Sequence, residues 1–199
     1  MANTVDLRKE NPELYIGKPI WAEVKVPKRT FIAVSGKGSP QQASFGEAIQ
    51  ALYSVAYTLK FTRKKAGLDD FKVMPLEALW QIEEAETIET AEWVALIPLP
   101  DFVTEAEIKA TAEASNAKKP NPSIAKLELK TLSEGLCLQY LHAGQYSAEP
   151  PVIADMFGNV LPSRGFKPNG WHHEIYLGDP NRTAPEKLKT LLRIPVAKL

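Results

Sequence analysis

The sequence predicts an α+β fold: duplicated βαββ repeats forming an antiparallel sheet, with helices on one face and a ligand groove between the repeats. Three observations carry this expectation. A β-branched and aromatic run, Thr30-Phe31-Ile32-Ala33-Val34-Ser35, leads into a helical stripe of Phe45, Ile49, Leu52, Ala56 and Leu59, and two more strand-like stretches follow. The same order of elements recurs after Leu136. With 199 residues and 44% hydrophobic content, the chain can bury the core of one duplicated domain more readily than several independent ones.

Taken in order, residues 1–28 mix Pro12, Gly17, Pro19 and Pro27 with few periodic apolar positions, and they read as an arm packed on the domain surface. Residues 29–199 are the domain, with repeat one over about 29–99 and repeat two over about 100–199. In repeat one, the strand at 30–35 stops at Gly36-Lys37-Gly38-Ser39-Pro40, and a helix covers 45–61. Strands are expected around 72–83 and 91–97, with the acidic run Glu83-Glu84-Ala85-Glu86 as the solvated connection between them.

Repeat two opens on Thr104 and Glu107, a T-x-x-E capping box that starts a helix running to about Asn116, with Pro120 and Pro122 blocking its continuation. Two strand-like stretches lie within 127–141, turned at Ser133-Glu134-Gly135, and a helix-compatible segment covers 151–157. A strand at 171–177 stops at Gly178-Asp179-Pro180. Thr183 and Glu186 then form a second capping box, which predicts a short C-terminal helix to about Leu192.

Charge and cysteine content restrict the function. Lys plus Arg number 24 and Asp plus Glu number 24, so no overall positive field draws in nucleic acid or an anionic membrane surface. Neither is expected as a direct partner. Cys137 is the lone cysteine, which rules out an intrachain disulfide and suits a reducing compartment. The N-terminus lacks the apolar core of a signal peptide and no stretch approaches a membrane span, so a cytoplasmic location is expected. Gly36-Lys37-Gly38 lacks the phosphate-loop and dinucleotide patterns. His172 and His173 are adjacent and would face opposite ways in a strand, and no metal or cofactor is expected.

The chemistry points to the strand His172-His173-Glu174-Ile175-Tyr176-Leu177. Alternation puts His172, Glu174 and Tyr176 on one face, with His173, Ile175 and Leu177 on the other. A carboxylate between an imidazole and a phenol can bind a cation, accept a proton or orient water. The same pattern also describes a solvated strand face, and spacing does not separate the two. Alternation likewise sets Tyr140 and His142 on one face near Gly144, opposite Cys137, which reads as a buried, inert thiol. Glu77, in Pro75-Leu76-Glu77-Ala78-Leu79-Trp80, holds the place in repeat one that Glu174 holds in repeat two. Trp80, Trp93, Trp171, Tyr53 and Tyr57 offer aromatic area for a planar or cationic ligand, although each also suits a core.

The chain resembles the stand-alone gyrase-inhibitor-like (GyrI-like) small-molecule-binding family over nearly its whole length. The resemblance rests on Val26-Pro27-Lys28, Gly36-Lys37-Gly38, Leu52-Tyr53-Ser54-Val55-Ala56-Tyr57, Pro75-Leu76-Glu77-Ala78-Leu79-Trp80, Pro100-Asp101-Phe102-Val103-Thr104 and His173-Glu174-Ile175-Tyr176-Leu177-Gly178-Asp179-Pro180. It implies two βαββ repeats, as in effector-binding domains of multidrug-responsive regulators, and a groove for aromatic, often cationic compounds. The glutamate matched by Glu174 sits in that groove among aromatic side chains, here Tyr176, Trp80, Trp171, Tyr53, Tyr57 and Tyr146, with Glu77 as its symmetry mate.

Some members are similar to enzymes that hydrolyse the cyclopropane of DNA-alkylating natural products. In such an enzyme Glu174 would act on water while Tyr140 or His142 polarises the substrate carbonyl. The alternatives are a drug-sequestering or sensing protein and an interaction protein acting on DNA gyrase; ligand identity and oligomeric state stay open. The family's His-x-Gly-Pro-Tyr turn reads His142-Ala143-Gly144-Gln145-Tyr146 here, and loss of the proline is expected to relax the turn that positions Tyr146.

Overall fold

The computed structural model describes residues 3–82 and 90–199, so the acidic run at 83–86 lies outside the described residues. In chain order the first elements are β1 (Thr4–Val5), α1 (Leu7–Glu10), β2 (Ala22–Val26), β3 (Arg29–Lys37), α2 (Ala43–Lys65), β4 (Asp70–Phe71), β5 (Glu77–Trp80) and β6 (Glu92–Leu99). There follow α3 (Glu105–Lys118), β7 (Glu128–Leu132), β8 (Gly135–Ala143), α4 (Pro150–Asp155), α5 (Leu161–Ser163), β9 (Phe166–Pro168), β10 (His172–Tyr176) and β11 (Lys189–Lys198). The fold is α+β, and βαββ order appears twice, as β3-α2-β5-β6 and as β8-α4-β10-β11. The chain divides into two compact units, Met1–Glu10 with Arg29–Leu132 and Asn11–Lys28 with Ser133–Leu199.

In the first unit the strands run β5-β6-β3-β7, all antiparallel. β3 carries the unbroken apolar run Phe31-Ile32-Ala33-Val34, buried on both faces, as expected of a strand with neighbours on both sides and α2 packed upon it. Of the stripe read from the sequence, Phe45, Leu52, Ala56 and Leu59 are buried on α2 and Ile49 is half-buried. Each such side chain contributes roughly 1.5–3 kcal/mol by leaving water. The strand expected around 72–83 is shorter: Pro75 lacks an N–H for a ladder, and pairing is confined to β4 and β5.

In the second unit the order is β2-β8-β11-β10, antiparallel, with β9 also paired to β11. Residues 11–28 are therefore more than a surface lead-in, because β2 completes an edge of this sheet. Leu138, Met156, Leu161, Phe166, Ile194 and Val196 form its core. α4 and α5 are joined by a π-helical turn, Met156–Val160, just ahead of Pro162, whose missing N–H interrupts the regular ladder.

The C-terminal helix expected after Thr183 does not form. Only a single 3₁₀ turn, Pro185–Lys187, follows, and the chain then enters β11. β11 pairs with β8 on one side and β10 on the other, and that double pairing overrides the local capping signal. Pro195 lies opposite Cys137 of β8 but turns its carbonyl to the other side, where it accepts from the Asn169 N–H at 2.8 Å. On that side pairing with β10 ends at Arg193 and pairing with β9 begins at Val196, so no ladder needs its missing N–H.

Candidate functional site

In the second unit, the register sets Glu174 opposite Leu192 and Leu192 opposite Tyr140, while Tyr176 faces Thr190 and Thr190 faces His142. Directly opposed residues project from the same side of a sheet. Glu174, Tyr176, Thr190, Tyr140 and His142 therefore share one face, together with His172. The Tyr176 hydroxyl donates to Glu174 Oε2 at 2.6 Å, and His172 Nε2 lies 3.3 Å from Oε1. Of the two neighbours named by strand alternation, Tyr176 bonds one carboxylate oxygen of Glu174, while the buried His172 ring lies near the other without a hydrogen bond.

The sequence reading missed the partner of greatest chemical consequence. Glu149, at the start of α4, is 3% exposed, and Glu174 and Thr190 are the groups that act on its charge. Burial, and after it the negative charge of Glu174, push its pKa up to about 8, with the Thr190 hydroxyl pulling part-way down. Near pH 7 this carboxyl keeps its proton. The only local signal is an acid next to Pro150-Pro151 at the head of an apolar segment, and nothing in that segment says that Glu174 acts on it.

Among the described residues, two aromatic contacts belong to this unit. Tyr146 meets Tyr176 edge-on, with centroids 5.6 Å apart and planes at 76°, and Trp21 tilts against Tyr140 at 5.1 Å. Trp21, in the segment read as an arm, was not anticipated. The turn before Tyr146 is not relaxed by loss of the family proline. Gln145 adopts φ −66° and ψ 146°, the backbone a proline would impose. Its carbonyl accepts from His142 Nε2 at 3.2 Å and from the Ala148 N–H at 3.0 Å, while Gly144 supplies the positive φ of 135°. His142 is thereby a buried brace of the turn. Trp171 is half-buried just ahead of β10.

Behind the site, His173 projects the other way and donates from Nδ1 to Glu134 Oε1 at 2.9 Å. Arg193 donates through Nε and Nη2 to Gln139 Oε1 at 2.9 and 2.7 Å, and through Nη2 to the Leu14 carbonyl at 2.7 Å. This buried network ties β10, β11 and residues 11–16 to one register. Cys137 is buried, and burial first, then the charge of Glu134, push its thiol up to about 12, which leaves it unreactive.

The remaining expected site residues belong to the first unit. Glu77 begins β5 and is 1% exposed. Trp80 ends β5 and packs on Phe45 with centroids 5.2 Å apart, as does Trp93 at 5.0 Å, so both rings serve that unit's core. Tyr53 and Tyr57 lie on α2, where the Tyr53 hydroxyl accepts from the Leu76 N–H at 3.0 Å. Among the described residues no three His, Cys, Asp or Glu side chains converge as they would around a metal ion, and no helix is long and apolar enough to cross a membrane.

A model of the GyrI-like small molecule binding domain matches residues 22–197. The chain belongs to the GyrI-like family. Two solved Listeria innocua structures, one described as an uncharacterized conserved protein and one as a hydrolase, are each 34% identical to this GyrI-like chain. Their TM-scores are 0.88 and 0.85, and each comparison covers 98% of this chain and 100% of the other. The EcmrR C-terminal domain shares the GyrI-like fold at a TM-score of 0.60 and 10% identity, over 90% of this chain and 98% of that one. No curated protein matches the chain. Membership makes this a small-molecule-binding domain, and the Glu174 face is where its polar and aromatic groups converge in the second unit.

Proposed function

We propose that the chain binds small aromatic or cationic amphipathic molecules around Glu174, within a reducing cytoplasm, and hydrolyses those that carry a strained, activated cyclopropane. The observation that carries the reading is Glu174, bonded by the Tyr176 hydroxyl at the Tyr146–Tyr176 corner, together with the buried Glu149 whose carboxyl burial and the charge of Glu174 hold in its protonated form. Two groups of one chemical type held in opposite protonation states can serve as acid and base near neutral pH. The 34%-identical Listeria protein described as a hydrolase supports the catalytic half of the proposal.

In this mechanism Glu174 accepts a proton from water as its oxygen bonds to a cyclopropane carbon. The ring C–C bond breaks, and its electron pair passes through the conjugated system to the carbonyl oxygen. Glu149 protonates that oxygen, and transfer of the captured proton from Glu174 to Glu149 resets the pair. The Tyr176 hydroxyl keeps Glu174 in place, while Tyr140 and the Tyr146–Tyr176 corner hold the planar portion of the ligand. His142 contributes by bracing the turn that presents Tyr146.

Mass spectrometry after incubation with a cyclopropane-bearing alkylator tests this reading. Ring-opened product in molar excess over protein is expected, with Glu174→Gln and Glu149→Gln each slowing turnover by about a hundredfold, and with the wild-type rate declining above pH about 8 as Glu149 loses its proton. Stoichiometric retention of intact compound would instead favour a sequestering or sensing protein. A DNA gyrase supercoiling assay addresses the remaining alternative and is expected to show no inhibition.

A further inference from the structure

The first unit holds a cleft whose chemistry is opposite to that of the Glu174 face. Tyr53, Tyr57 and Phe61 follow one another at i, i+4 spacing along α2. Their rings stack at centroid distances of 6.2 and 6.3 Å with planes 28° and 22° apart, giving a continuous aromatic ladder. Tyr57 is 47% exposed and Phe61 58% exposed, an uncommon amount of aromatic surface to leave in water. Facing the ladder stand Lys119, Pro120, Asn121 and Ile124, and the cleft between has a volume of about 640 Å³, within the range of small-molecule sites.

Both walls are held in place. The Asn121 side chain donates to the Glu47 carbonyl of α2 at 2.9 Å and accepts from the Ser123 N–H at 2.8 Å, and the Asn121 N–H donates to Asn116 Oδ1 at 3.0 Å. On the other wall, the Leu76 N–H fixes the Tyr53 hydroxyl at 3.0 Å. A ligand entering here would meet surfaces already ordered, which lowers the entropy lost on binding. Among the described residues lining the cleft, Lys119 is the one that carries a charge, and none is acidic. The polar remainder, Gln50, Ser54, Thr58 and Asn121, can hydrogen-bond an oxyanion without repelling it.

We infer that this cleft is a second binding site, for a planar aromatic anion of the aryl carboxylate class, with the ring on the Tyr53–Tyr57 ladder and the carboxylate at Lys119. A cation has no counter-charge here, whereas the carboxyl pair of the other unit would repel an anion. The inference is independent of the reading of Glu174.

Isothermal titration of the full chain with 2-naphthoate tests it. Saturable binding is expected, weakened about fivefold by Lys119→Gln and by Tyr57→Ala, restored by Lys119→Arg, and unchanged by Glu174→Gln. The neutral 2-naphthalenemethanol should bind more weakly than the carboxylate, and added salt should narrow the gap. Both substituted side chains lie at the cleft wall outside the core, and matching thermal unfolding curves would establish that the variants are folded. The inference is overturned if 2-naphthoate shows no saturation, if either Lys119→Gln or Tyr57→Ala leaves its affinity unchanged, or if Glu174→Gln abolishes it.

Discussion

At the scale of single residues, the second unit turns on how two glutamates differ. Glu174 is held by the Tyr176 hydroxyl and lies beside His172, whereas Glu149 is buried with little beyond Thr190 to offset the loss of water. Its pKa therefore rises from 4.5 to about 8, and this has a consequence for stability. Between those values the folded protein retains a proton that the unfolded chain has released, so folding stability declines as pH rises through the window and levels off above it. Differential scanning calorimetry from acid to mildly alkaline pH should show this decline in the wild type, and Glu149→Gln should remove that portion. A wild-type Tm that tracks the variant across the window would mean that Glu149 ionises normally.

At the scale of elements, two T-x-x-E motifs met different fates. Thr104 and Glu107 form the expected capping box: Glu107 N–H donates to Thr104 Oγ1 at 3.3 Å, and Glu107 Oε2 accepts from Thr104 N–H at 2.9 Å. Arg63 of α2 also pairs with Glu107, so the cap joins two helices. Thr104→Ala should cost about 1 kcal/mol in a urea unfolding midpoint measurement with the slope unchanged, and a null effect would show that the Glu107–Arg63 pair alone anchors the start of α3. Thr183 and Glu186 carry the same local pattern, but the residues beyond them alternate, with Thr190, Leu192 and Ile194 on one face and Leu191 and Arg193 on the other. Capping propensity is worth about 1 kcal/mol, which two ladders of hydrogen bonds and the burial of Leu191, Leu192 and Ile194 exceed.

At the scale of the whole molecule, β11 joins the parts of the second unit, since β8 and β10 each pair with it. Truncation before Lys189 should therefore abolish cooperative unfolding of that unit and make it sensitive to limited proteolysis. A truncated chain that kept Ser133–Leu188 protease-resistant would show that β11 is dispensable. The βαββ order, the α+β class and the family were legible beforehand, because each rests on patterns among near neighbours in the chain, whereas β2, β9 and the strand in place of the last helix were not. Alternation alone separated His172, Glu174 and Tyr176 from His173, and the stripe from Phe45 to Leu59 named the buried side of α2.

Periods of two and of 3.6 are properties of consecutive residues, and a chain can carry them without knowledge of its partners. The action of Glu174 on Glu149, the packing of Trp21 on Tyr140, the strand that replaces the last expected helix and the cleft between α2 and Lys119 arise between segments distant in sequence. Tertiary structure alone decided them, because register selects which side chains oppose one another, and burial then sets whether a carboxyl keeps its proton.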